Sequence, residues 1–382
     1  MTGGARLALK RPQRAGERVS RRGRGSAAGA AGMLVLTVAL VFLPYVEGPG
    51  VTYQLSSLFV LVILASMWNL LAGYAGLVSI GLQGFIGIGS YSLLWLSLHG
   101  VGVYPAIPLA ALISAAVALP TAFLAFRLRG GYFAIGTWVI AEVFLLIISQ
   151  VNSLGAGSGA SLNGLSAYNP AQRQADTYWV ALALLIATLG GIYLLLRSRL
   201  GLGLTAIRDS ESAAGSLGVQ VTGSKLVAYL IAALGCGAAG AVMLANSLQV
   251  APDSAFNVQW TAYMIFCVMV GGLGTIEGPV IGAIIFFALQ YWLSSYGVWY
   301  LILLGVVAII MTVRFRQGIW GLLAARTHVS LFPVGYRVDV TASSPAAQPG
   351  PAAAGQPGMT GTDTAGNVGS GAHGIDVRDG RD

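Results

Sequence analysis

Long apolar runs fill the chain between residues 27 and 313, separated by short polar or glycine-rich breaks. No Asp, Glu, Lys or Arg occurs between Gly48 and Phe126, a stretch of 79 residues (126 − 48 + 1). Since a helix needs only about 20 apolar residues to cross a bilayer, several crossings fit in this stretch alone. Breaking the runs at charges, prolines and polar turns predicts ten transmembrane helices, near residues 27–46, 51–72, 77–98, 104–126, 131–151, 178–196, 226–248, 257–275, 278–295 and 297–313. The pattern therefore predicts an all-α fold, a polytopic membrane helix bundle.

The composition excludes an ordinary soluble enzyme. Of 382 residues, 56% are hydrophobic and 9% are charged, whereas soluble domains carry about 25% charged residues. Three scattered histidines and two cysteines in separate apolar runs give no metal-ligand spacing, so we expect no metal, no cofactor and no catalytic residues. Residues 218–225 read GVQVTGSK, which places the lysine one position late for a phosphate-binding loop. If ATP drives this protein, we expect a partner to hydrolyse it.

The distribution of positive charge predicts the orientation in the membrane. Eight of the 21 basic residues precede residue 25, and with the N-terminus inside, 18 fall on the cytoplasmic side against one, Arg173, outside; two more lie in the distal C-terminal tail. This asymmetry places both termini in the cytoplasm. The net charge of +8 then indicates contact with the lipid bilayer surface, and no nucleic acid. We divide the chain into a basic N-terminal tail (1–26), a membrane domain (27–325) and a polar C-terminal tail (326–382) that we expect to be disordered.

One cytoplasmic segment, residues 197–225, holds the most polar sequence in the middle of the chain. Within it, the pattern predicts a short amphipathic helix from about Thr205 to Leu217, stopped by Gly218. Such a helix can dock on a cytoplasmic partner and transmit movement to the membrane helices. The alternative is a solvated surface helix.

Two glycine-rich segments, residues 73–81 and 271–279, echo each other, and each lies where two predicted helices meet. Interrupted helices of this kind can line a substrate path. The candidate path residues are Asn69, Gly73, Gly76, Ser79, Gln83, Phe85, Gly271, Gly272 and Gly274. The alternative interpretation is close helix packing through small residues, with aromatic side chains as packing groups.

Glu142 is the acidic residue placed well inside a predicted span. A charged carboxylate at the middle of a bilayer costs about 2.5–3.5 kcal/mol on insertion scales, so its side chain should face protein or water. We therefore add Glu142 to the path candidates. A proton relay and a structural hydrogen bond are the other roles open to it.

Four blocks resemble a known family. They comprise residues 69–73 running on to Tyr91, residues 129–135 with Thr137 and Glu142, residues 206–208 running on to Lys225, and residues 271–274 with Gly278 and Pro279. In order and spacing they resemble the permease subunits of branched-chain amino acid ABC importers, closest to the LivM branch. The resemblance covers residues 33–325.

This resemblance implies a type II-like importer fold in the cytoplasmic membrane of a prokaryote. The implied partners are a second permease subunit (LivH-like), two ATP-binding subunits, an external solute-binding protein and a small-molecule substrate. It also implies that the segment at about 205–218 is a coupling helix that seats on the ATPase through Arg208, Asp209, Glu211, Ala213, Ala214 and Gly218.

The substrate stays open, because relatives with similar blocks carry branched-chain amino acids, urea, short amides or aromatic acids. A rival interpretation is a secondary transporter driven by an ion gradient, in which Glu142 is the coupling carboxylate.

Overall fold

A computed structural model describes residues 18–20, 24–165, 169–293, 299–314, 318–327 and 337–339. The chain divides into two units, and one of them, Val19–Arg337, contains every described helix. The other unit combines Met1–Arg18 with Val338–Asp382. Most of the predicted tails, residues 1–26 and 326–382, lies outside the described residues.

Fourteen α-helices are present in the described part of the chain. They are α1 (Arg24–Val46), α2 (Pro49–Asn69), α3 (Leu82–Leu98), α4 (Val103–Ala125), α5 (Gly131–Ser149), α6 (Pro170–Arg197), α7 (Arg199–Asp209), α8 (Glu211–Ser216), α9 (Val221–Ser247), α10 (Pro252–Ala255), α11 (Gln259–Gly271), α12 (Glu277–Leu293), α13 (Trp299–Arg314) and α14 (Gly318–Thr327). The bundle is all-α apart from very short strands, as the sequence predicts.

Short elements complete the fold. A π-helical turn, Leu70–Tyr74, continues α2, and 3-10 turns lie at Asn152–Leu154 and Asn163–Leu165. Four short strands are described, β1 (Arg18–Ser20), β2 (Ala160–Ser161), β3 (Gln249–Val250) and β4 (Arg337–Asp339), and β2 pairs antiparallel with β3. This β2–β3 pair joins the loop after α5 to the loop after α9.

Each of the ten predicted spans coincides with one helix, namely α1 to α6, α9, α11, α12 and α13. Among the described residues, five helices are long and apolar enough to cross a membrane: Pro49–Tyr74, Val103–Ala125, Gly131–Ser149, Pro170–Arg197 and Val221–Ser247. The 13 residues of α11 extend about 20 Å, less than the roughly 30 Å hydrocarbon core. The membrane helix bundle is therefore confirmed, while the number of ten crossings stays a prediction.

The centre of the bundle is α9, which packs against α2, α3 and α4. A Cβ atom at Gly240 of α9 would overlap the carbonyl oxygen of Ile86, and one at Gly89 of α3 would overlap that of Gly237. The Ser90 hydroxyl donates to the carbonyl oxygen of Gly240 at 2.8 Å. Glycine at these crossings lets the two backbones touch, as small residues do in membrane helix interfaces.

This close packing predicts opposite effects for two identical substitutions. Gly240→Ala should destabilise the protein by about 1–3 kcal/mol, because its methyl group overfills the α3–α9 contact. Gly190→Ala in α6 meets nothing within 4 Å and should be neutral or stabilising by up to about 1 kcal/mol, through helix propensity. Melting temperatures in detergent check both, and equal shifts would contradict the packing assignment.

Candidate translocation path and coupling segment

Asn69 joins the end of α2 to the glycine-rich loop after α11. Its side chain is 3% exposed. The amide oxygen Oδ1 accepts from the backbone N–H of Gly274 at 2.9 Å, and Nδ2 donates to the carbonyl oxygen of Thr275 at 2.8 Å. The two glycine-rich segments that echo each other in sequence therefore meet in space.

The contact between these segments requires glycine. A Cβ atom at Gly73 would overlap Oδ1 of Asn69 and lie 2.7 Å from the backbone nitrogen of Gly274. Gly274 itself has φ of +75°, a left-handed conformation that side chains disfavour. The glycine-rich pattern of the sequence marks this contact, where Gly73 and Gly274 allow two backbones to approach closely.

Arg208 extends from α7 to the same place. Its Nη1 donates to the carbonyl oxygen of Gly73 at 2.9 Å, while Nη2 pairs with the Asp209 carboxylate at 3.0 Å. Gly76 packs against the other side, since a Cβ atom there would lie 3.3 Å from the Cα of Arg208. The candidate for ATPase coupling therefore directly contacts two candidates for the translocation path.

The predicted helix from Thr205 to Leu217 is two helices, so this part of the prediction is wrong. The chain breaks at Ser210, whose extended backbone ends α7 and whose side chain accepts from the N–H of Ala213 to begin α8. Serine at this position competes with helix continuation, because its hydroxyl caps the next helix. Gly218 follows α8 with φ of +84° and ends it, as predicted.

The coupling segment, which we define as residues 205–218, presents most of its predicted contact residues to the surface. Five of them are exposed, namely Arg208, Asp209, Glu211, Ala213 and Gly218. Ala214 is 1% exposed and packs inside this chain, so it offers no surface to a partner. Leu217, which the sequence reasoning left out, is 82% exposed.

Glu211 is also held within the chain. Its carboxylate pairs with the Lys225 ammonium at 2.7 Å, which fixes α8 against the start of α9. This pair and the Arg208 contact attach the coupling segment to the bundle at two points.

Residues 75–81 form an unwound segment between the π-helical turn and α3. The indole N–H of Trp68 donates to the carbonyl oxygen of Ser79 at 2.9 Å, and the Thr137 hydroxyl accepts from the N–H of Ile80 at 3.2 Å. The Ser79 hydroxyl accepts from the N–H of Gly81 at 3.2 Å. The candidate Ser79 therefore stabilises an irregular backbone, and its supporting residues Trp68 and Thr137 carry no local sequence signal for this role.

Gln83 and Phe85 lie in the first turn of α3 and are both buried. The amide oxygen of Gln83 accepts a hydrogen bond from the Thr261 hydroxyl of α11, 178 positions away. Phe85 packs edge-on against Tyr229 at 5.6 Å between ring centroids. Gln83 thus faces another helix through a polar contact, whereas Phe85 is a packing residue, as the alternative interpretation had it.

Gly271 and Gly272 pack helices together. A Cβ atom at Gly271 would overlap the carbonyl oxygen of Gly278 in α12, and Gly272 adopts φ of +137° beside Gly318 of α14. The Thr275 hydroxyl closes this turn by donating to the carbonyl oxygen of Gly272 at 2.8 Å. Gly271 and Gly272 therefore serve close helix packing, which is the alternative interpretation of the glycine-rich segments.

Glu142 lies apart from the other candidates. It is half-buried on α5, a helix of 19 residues of which Phe133, Thr137 and Ala141 are buried. The indole N–H of Trp138, one turn earlier, donates to its carboxylate at 3.0 Å. The expected protein or water environment of this carboxylate is therefore only partly supplied by its own chain.

Comparison with known proteins places this architecture in a family. Residues 50–312 match the family model described as "Branched-chain amino acid transport system / permease component". The chain is 29% identical over 314 residues to the high-affinity branched-chain amino acid transport system permease protein LivM of Salmonella typhimurium, covering 75% of this chain and 74% of that protein. It is 28% identical, with the same coverage, to the LivM protein of Escherichia coli. No solved structure matches at a significant level.

The Asn69 contacts predict a specific stability change. Asn69→Ala removes both hydrogen bonds and leaves a part-buried N–H and a part-buried carbonyl group without their partner, which should cost about 1–3 kcal/mol. Asn169→Ala, which removes only the exposed N-cap bond of α6, should cost about 1 kcal/mol or less. The two melting temperatures in detergent decide, and an Asn69→Ala protein as stable as the wild type would show that these bonds do not hold the loop.

Proposed function

The chain belongs to the family of permease components of branched-chain amino acid transport systems, and from this membership we propose that it forms half of the membrane path of an ATP-driven importer. Partner subunits hydrolyse the ATP. The chain itself is a transport subunit without catalytic residues. We place it in the cytoplasmic membrane of a prokaryote with both termini inside.

The observation that carries the proposal is the bond from Arg208 to Gly73. Arg208 belongs to the segment that the family resemblance assigns to ATPase contact, and Gly73 lies in the turn that ends α2. A displacement of α7 therefore acts on a place where a central membrane helix ends in an unwound segment. This geometry converts closure of the ATP-binding subunits into movement of the path.

The exposed face of the coupling segment supplies the docking surface. It combines charged residues with a nearly fully exposed leucine, formed by Asp209, Glu211, Ala213, Leu217 and Gly218. A cytoplasmic groove with an apolar floor and a charged rim fits this surface. The contact of Arg208 with its own chain makes it the link between this surface and the bundle.

The path is proposed to run beside Asn69, Gly73, Gly76, Ser79 and Gln83, with a second permease completing it. Glu142 supports the second subunit, because a half-exposed carboxylate on a membrane helix is costly against lipid. Covering α5 with another permease removes this cost. The solute-binding protein then delivers the substrate from outside.

Branched-chain amino acids are the proposed substrates, because both similar LivM proteins are named for branched-chain amino acid transport. Urea and short amides are the second candidate class. Because a binding protein delivers the substrate, the specificity of that protein, together with this chain, determines which solute is transported.

Removing the Arg208 side chain should uncouple the system. Arg208→Ala loses a charge-assisted hydrogen bond, so ATP-driven uptake of L-leucine by the reconstituted complex should fall about tenfold or more while the subunits still co-purify. Arg208→Lys should recover part of the rate. Arg129→Ala, which removes an exposed arginine from the predicted cytoplasmic loop between α4 and α5, is the matched control. Normal uptake by Arg208→Ala would contradict the coupling role of Arg208.

A bulky charge on the docking surface should break assembly without unfolding the permease. Ala213 is exposed in α8, so Ala213→Arg should leave the melting temperature of the isolated permease unchanged, because exposed substitutions stay within about 0.5 kcal/mol. Co-purification of the ATP-binding subunits should be lost. If they remain bound at wild-type stoichiometry, they dock elsewhere.

The energy source separates the proposal from the ion-gradient alternative. Uptake into proteoliposomes should stop without ATP and continue when proton and sodium gradients are collapsed. Glu142→Gln keeps an oxygen acceptor for Trp138, so it should change the rate while preserving this dependence on ATP. Uptake that requires a gradient and disappears in Glu142→Gln would establish the secondary transporter instead.

A further inference from the structure

One face of α3 carries two buried polar groups that have no hydrogen-bond partner among the described residues. They are Nε2 of Gln83 and the hydroxyl of Tyr91. Gln83 is 0% exposed and Tyr91 is 2% exposed. Residues 83, 87 and 91 follow at steps of four, so they lie along one side of the helix.

The residues after α9 cover this face of α3. The ring of Phe256 lies directly against Gly87, where a Cβ atom would overlap it, and it stacks on Tyr91 at 6.1 Å between centroids. Thr261, in the first turn of α11, donates to the amide oxygen of Gln83. Phe256, which is 1% exposed, thus packs on Gly87 and Tyr91, along the stretch of α3 that separates the two unpartnered groups.

The two groups define the chemistry that fits between them. The oxygen of Gln83 already accepts from Thr261, so its unpartnered atom is the N–H donor Nε2, and a tyrosine hydroxyl donates readily. A ligand that satisfies both therefore presents acceptor oxygens, as a carboxylate or the carbonyl group of urea or an amide does. Gln83 also lies in the first turn of α3, where the helix dipole favours negative charge.

Unpartnered buried polar groups call for an explanation, because folded proteins pair nearly all of them. Among the described residues one further buried side-chain group lacks a partner, the Ser66 hydroxyl of α2, whereas Ser90 and Thr261 beside this face of α3 are paired. Gln83 and Tyr91 thus present two unpaired hydrogen-bond donors on one face of α3, with the Phe256 ring beside them. Such an arrangement suits transient binding of a polar solute.

We propose that Gln83 and Tyr91 bind the acceptor oxygens of the transported solute, at a position that Phe256 fills when no solute is there. The inference rests on the proposed transport function and adds a recognition site to it. Tyr91, which the sequence reasoning treated as packing, becomes a binding residue, and Phe256 becomes the residue that the solute displaces.

The test uses the full importer in proteoliposomes, with L-leucine and urea as the two probes. Tyr91→Phe deletes only the open hydroxyl and should raise the KM for the transported probe about tenfold while the melting temperature stays equal or rises. Gln83→Glu keeps an oxygen for Thr261 and replaces the donor by a carboxylate. It should impair leucine, whose carboxylate has the same sign of charge, more than urea. Tyr178→Phe is the matched control, since its hydroxyl already donates to the carbonyl oxygen of Leu40. It should lower the melting temperature and leave KM unchanged.

The outcomes distinguish the site from the function. If the wild-type complex takes up neither probe with ATP, the proposed transport function fails, and the site falls with it. If the wild type is active and Tyr91→Phe has the same KM, the function stands and the site is overturned. A KM raised in Tyr91→Phe but not in Tyr178→Phe supports it.

Discussion

The structure depends on one constraint: buried backbone polar groups must find hydrogen-bond partners inside the protein. The unwound segment at residues 75–81 lacks the hydrogen-bond ladder of a helix, so its backbone groups need other partners. Trp68 and Thr137 satisfy its Ser79 carbonyl and Ile80 N–H groups. This requirement accounts for the hydrogen bonds that α2 and α5 make to the segment through Trp68 and Thr137.

Glycine occurs at two different kinds of contact, the broad α3–α9 packing surface and the attachment point of the coupling segment. At the α3–α9 contact, Gly89 and Gly240 bring two backbones together over a broad surface, which resists deformation because packed interiors tolerate little overlap. At Gly73 the coupling segment contributes a single side-chain hydrogen bond from Arg208. A local attachment of this kind can change its geometry without unpacking the core.

The sequence predicts the helix bundle well and the site only in part. Hydropathy and charge locate the ten helical segments, because membrane insertion acts on local composition. They cannot indicate which side of α5 faces the bundle, since lipid and protein interior select equally apolar residues. Glu142 therefore comes out half-exposed, which no local pattern predicts. The break at Ser210 and the Arg208–Gly73 bond also escape prediction, because a hydroxyl cap and a contact across 135 positions arise only in the folded chain.

The unwound segment links the turn that Arg208 contacts to the start of α3. At one end Gly73 and Gly76 contact Arg208, and at the other end α3 begins with Gln83 in its first turn. The backbone of the segment is folded, with Ala75 in the helical region and Gly76 at φ of +69°. A continuous helix would resist a shift between the turn after α2 and the start of α3 by its hydrogen-bond ladder. In the proposed coupling mechanism, the interruption between α2 and α3 removes that resistance.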